Sequence, residues 1–122
     1  MINRGLVMDD REMLYLAAEA AGLRCNGHYP DKNGYVCLSS HTFSSGYFSP
    51  LDFNTGHAFV LQARLGISID MNVVTERGFQ TGWVQAYHDD GQACEDVVGG
   101  RSESAICRAI VRAAAKIREA QQ

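Results

Sequence analysis

The sequence has only two prolines and one tryptophan in 122 residues, and no apolar run near the ~20 residues that a membrane-spanning helix needs. So little proline argues for a packed globule and against a disordered segment. The missing apolar run excludes a membrane anchor, and Met1 to Val7 lacks the apolar centre of a secretory signal, so the chain is expected in the cytosol. A cationic excess is absent too. Eleven Lys and Arg against 14 Asp and Glu leave a net charge of −3, which provides no general field for a nucleic-acid polymer. Catalytic signatures are also missing: no Gly-x-Ser-x-Gly elbow, P-loop or His-Glu-x-x-His occurs. Asp89-Asp90-Gly91 reads as a hairpin turn, since neighbouring strand side chains point apart and do not form an acid/base pair. No catalytic residue is assigned, and a non-enzymatic role is expected.

What the chain does have is 46% hydrophobic residues, enough for one packed domain spanning residues 1–122. Asp9 or Asp10 caps a helix over residues 11–21 that turns Leu14, Ala17, Ala18 and Ala21 to one side and stops at Gly22. Residues 23–49 form a loop-rich segment of Gly, Ser, Asn, Tyr and Asp with one strand at 34–38. Pro50 precedes a second helix, capped by Asp52 or Asn54 and running to Arg64, with Ala58, Leu61 and Leu65 at helical spacing and Gly66 at its end. Ile67, Ile69, Met71 and Val73 then alternate with polar residues, the period of two that marks a strand with one buried face. Glu76-Arg77-Gly78 turns into a second strand at 81–87, and Asp89-Asp90-Gly91 turns toward a third at 95–98. A final helix from Glu103 to Ala120 buries Ile106, Ala109, Ile110, Ala113 and Ile117, and Cys107 falls on its apolar side. The class is therefore α+β: a three-strand antiparallel meander plus one additional strand, covered by three helices.

Three constellations carry possible chemistry. Gly99, Gly100, Arg101, Ser102 and Ser104 open the last helix, where free amides, hydroxyls and a guanidinium suit a phosphate. Trp83 and Tyr87, four apart on one strand, share a face, and His88 follows, so a base could stack beside that corner. Against this stands the plainer reading of a capped helix and core aromatics. A second set, Cys25, His28, Cys37 and His41, has donors compatible with tetrahedral zinc, although its spacing is not that of paired Cys-x2-Cys knuckles. No other cofactor is indicated. Arg108, Arg112 and Lys116 form a basic stripe, read as a solvated face or a contact for an acidic partner or a second subunit.

The segment Ser49-Pro50-Leu51-Asp52-Phe53, the helix after it, the strand opening Leu65-Gly66-Ile67 and the closing Arg108-Ala109-Ile110-Val111-Arg112-Ala113-Ala114-Ala115 together resemble the phage ABA sandwich domain family, from Met8 onward. Residues 1–7 are then an N-terminal extension. In that family the turn reads Trp-Asn-Pro-Leu before Asp and Gly, where this chain has Phe48-Ser49 before Pro50-Leu51. The resemblance implies an α/β/α layered sandwich of phage or prophage origin. By analogy with phage anti-defence sponges, the expected function is sequestration of a small phosphate-bearing ligand such as a host immune signalling nucleotide. The alternatives are a module that inhibits a host protein and a small zinc-stabilised domain. The alanine-lined helix faces further suggest a homo-oligomer.

Overall fold

The structure, a computed structural model, describes residues 9–23, 36–37 and 47–122. Helix α1 (Asp10–Ala20) begins where Asp9 accepts the Glu12 N–H at 2.8 Å, as the cap position requires. It buries Met13, Leu14, Leu16, Ala17 and Ala18 and closes with the Leu23 N–H donating to the Ala18 carbonyl, Leu23 itself being buried. Two short strands, β1 (Val36–Cys37) and β2 (Tyr47–Phe48), pair antiparallel in a sheet of their own. The additional strand expected beside the meander therefore belongs to a separate two-stranded unit. The second helix also differs from its expected form. Asp52 caps only a 3-10 turn, Phe53–Thr55, and helix α2 (His57–Leu65) starts afresh after Gly56, whose left-handed backbone breaks the helical path.

The main sheet is the meander β3 (Ser68–Glu76), β4 (Phe79–Tyr87) and β5 (Ala93–Asp96), in that order and antiparallel throughout. Arg77 and Gly78 alone connect β3 to β4, both with positive φ, and Glu76 pairs with Phe79. That is the two-residue turn whose twist suits a hairpin. Val84 and Ala86 are buried on one face of β4 beneath helix α3 (Glu103–Gln121). We call this the inner face. Trp83, Gln85 and Tyr87 consequently lie on the outer face.

Helix α3 is the centre of the molecule. Arg112 and Lys116 reach β5 and the turn before it, while Arg108 and Arg118 pair with Asp10 and Glu19 of α1. The helix thus lies between the sheet and α1, with α2 beside it. Asp10 and Glu19 sit at opposite ends of α1, so the two helices run side by side in the same direction. Such surroundings explain why Ala109, Ala113, Ala114 and Ala115 are fully enclosed: only small side chains let neighbours approach a helix from several sides. Three helices with a three-strand antiparallel sheet make the α+β class that the sequence predicts.

Placement of α3 over β4 and β5 has a cost at β3. Ile67 is buried, but Ile69 and Val73 are only half-buried and Met71 is 48% exposed. The alternating row expected to be a fully buried face is partly open. No helix among the described residues is long and apolar enough to cross a membrane.

Candidate functional site

Gly99 and Gly100 form a second two-residue turn, closed by an antiparallel bridge between Val98 and Arg101. Both glycines have positive φ, and Gly100 also packs so closely on the Phe79 ring that an added Cβ would lie 2.4 Å from it. The Gly100 carbonyl accepts the Gln80 N–H at 2.9 Å. Gln80 in turn accepts the Ser102 N–H through Oε1 at 2.8 Å. Thus the Ser102 amide of the expected anion corner already has a partner within the protein. Ser102 occupies the N-cap position but is buried and makes no side-chain cap, which corrects its reading as the capping hydroxyl. Arg101 and Ser104 are exposed at this corner.

Trp83 and Tyr87 share the outer face as expected, with Gln85 between them. The Tyr87 hydroxyl lies 3.2 Å from Gln85 Oε1 and 3.4 Å from Asp70 Oδ2. Loss of hydration and the Asp70 charge hold its pKa above the usual phenol value, so it is a neutral donor at physiological pH. His88 lies beyond the strand, where its Nδ1 accepts the Asp90 N–H at 3.0 Å and its carbonyl accepts the Gly91 N–H. It caps the Asp89-Asp90-Gly91 turn. A shallow depression of about 370 Å³ at this end is lined by Ser68, Tyr87, His88, Asp89 and Gln92.

The expected site is therefore divided. Gly99, Gly100, Arg101, Ser102 and Ser104 cluster at the Gln80 end of β4, whereas Tyr87 and His88 lie at its far end. Seven residue steps along the strand separate Gln80 from Tyr87, about 23 Å at ~3.3 Å per step. Trp83 stands between them. One mononucleotide does not span both ends.

Carboxylates are what the sequence reading missed. Trp83 pairs across the ladder with Asn72 on β3 and Asp96 on β5, and Gln85 pairs with Asp70. Asp70, Glu76 and Asp96 share the outer face with the aromatics, and none of the three strands carries Lys or Arg. The Arg77-Gly78 turn contained the missing signal, because a two-residue hairpin sets the register that brings these residues together.

The basic stripe finds its partners internally. Arg108 bonds Asp10 in a bidentate pair at 2.9 and 3.1 Å, and this bond holds the Asp10 carboxyl below its ordinary pKa of 3.8. Arg112 bonds Glu95 and, at 3.2 Å, the Cys94 carbonyl. Lys116 bonds the Gln92 carbonyl at 2.7 Å. These contacts give all three cations of the stripe acceptors within the chain, while Arg108 and Arg112 stay partly exposed. Cys25, His28 and His41 of the zinc set lie outside the described residues, as does the Cys37 side chain. Cys107 is buried, and desolvation raises its thiol pKa, so it is a packing residue and not a nucleophile.

No family model, curated protein or solved structure matches this chain.

Proposed function

We propose that this domain is a non-enzymatic binding module whose outer sheet face holds a cationic segment of a partner protein. The observation that carries the reading is the company of Trp83 and Tyr87: they stand among Asp70, Glu76 and Asp96 on strands without a single lysine or arginine. Arginine or lysine side chains suit such a face twice over, through the negative ring faces of Trp and Tyr and through charge-assisted hydrogen bonds to carboxylates. A phosphate group is repelled by the same carboxylates. The reading as a phosphate-ligand sponge keeps only the Arg101 corner, where Gln80 already occupies the Ser102 amide. A host protein is proposed as the source of the cationic segment, with inhibition by occlusion as the consequence.

Trp83 is the chain's one tryptophan, so its emission reports directly on this face. Titration with an arginine-rich peptide is expected to change that emission at low salt and to weaken as salt is raised. Asp70→Asn and Asp96→Asn should each lower the affinity about three- to fivefold, the worth of roughly one exposed charge contact. ATP and cyclic dinucleotides are the counter-probes. A nucleotide response lost in Arg101→Ala would restore the phosphate reading, and silence toward the peptide would overturn the one proposed here.

A further inference from the structure

The two edges of the main sheet are treated differently. Edge β5 is four residues long, and cations from α3 bond one carbonyl on it and one just before it, Arg112 at Cys94 and Lys116 at Gln92. Short length and neighbouring cations are the usual means of keeping an edge from pairing with another chain. Edge β3 has neither. It is nine residues long, contains no proline, lysine or arginine, and among the described residues pairs with β4 on one side only. Its register with β4 runs through all nine residues without a bulge. The inner-face row of this strand is also partly open, with Met71 48% exposed and Ile69 and Val73 half-buried.

We infer that β3 is a self-association edge, at which a second copy of this chain adds its own β3 antiparallel to form a continuous six-stranded sheet. A two-fold axis through Asn72 pairs all nine residues. Met71 then lies opposite the partner's Val73, so the two half-open apolar rows meet on the inner face. Asp70 lies opposite the partner's Val74 and Glu76 opposite the partner's Ser68, so no carboxylate faces another. Self-complementarity of this kind is what a two-fold interface demands, and main-chain hydrogen bonds along the edge supply the attraction. The inference is independent of the cationic-partner reading.

Sedimentation velocity of the full chain over a range of concentrations tests it. The expected result is a concentration-dependent dimer that Met71→Lys converts to monomer, because a lysine on the inner row of an edge strand blocks pairing. Phe59→Lys, on an exposed position of α2, should leave the dimer intact. Should Met71→Lys fail to fold, Asn72→Cys decides. With Cys94 replaced by serine it should form an intermolecular disulfide on oxidation, since residues directly opposite in an antiparallel pair have Cα atoms about 4.5–5.5 Å apart. A wild-type chain that is monomeric throughout overturns the inference. So does a dimer that survives Met71→Lys, or one that leaves Asn72→Cys uncrosslinked. The Met71→Lys monomer should still respond to the arginine-rich peptide through Trp83, which separates failure here from failure of the functional reading.

Discussion

His57 shows how one side chain ties a loop to a helix. The Ser49 N–H donates to its Nδ1 at 2.8 Å, and the ring stacks on buried Phe48 with centroids 6.0 Å apart. An acceptor at Nδ1 requires an unprotonated nitrogen, so the proton of the neutral ring sits on Nε2. Desolvation pushes the His57 pKa below 6.5, against the opposing pull of Asp52. The unfolded chain therefore binds this proton more readily than the folded one. Stability from His57 is complete above pH 6.5 and is lost as the pH falls from there through the lower folded value. Urea denaturation at a series of pH values should show that loss. His57→Phe should flatten it, at a cost of about 1–3 kcal/mol for the Ser49 N–H left without an acceptor. An unchanged pH profile in that variant would remove His57 from the account.

Among the elements, α3 carries most of the packing. Its alanines at 109, 113, 114 and 115 are at 0% exposure, between the sheet on one side and α1 on the other. Ala113→Leu should destabilise by about 1–3 kcal/mol, since added methylenes in a filled core force neighbours apart, and a shift of the urea midpoint measures it. A leucine accommodated without loss would mean that α3 is not enclosed as described. Periodicity made α1, α3 and the β3–β4 hairpin legible in the sequence, because apolar spacing, the Asp9 cap of α1 and the turn residues agree. It failed at α2, where one helix was expected through Gly56 and the left-handed glycine instead splits off a 3-10 turn. It also failed at β3. Strict alternation correctly marks a strand, yet alternation says nothing about which strand a helix will cover, and Met71 is left half open.

At the scale of the whole molecule, α3 touches α1, α2, β4 and β5, and two ion pairs fasten α1 along it. No element of this core has a hydrophobic partner set of its own. Loss of helix, followed by far-UV circular dichroism, and exposure of Trp83 on β4, followed by fluorescence, should therefore coincide in one cooperative thermal transition. Separate midpoints would show that the sheet and the helices fold as independent units.

The sequence alone determined the α+β class, the cap of α1, the extents of α1 and α3, the meander and the placing of Trp83 and Tyr87 on one face. All of these follow from local periodicity and turn chemistry, which act over a few residues. Tertiary structure decided the rest. It separated the Gly99 to Ser104 corner from Tyr87 and His88 by the length of a strand, and gave the Ser102 amide to Gln80. It tied Arg108, Arg112 and Lys116 to internal acceptors, and set Asp70 and Asp96 beside the aromatics. Each of these depends on partners far apart in the chain, as with Arg108 and Asp10, and only the packing of α3 on the sheet and of α1 on α3 brings them within reach.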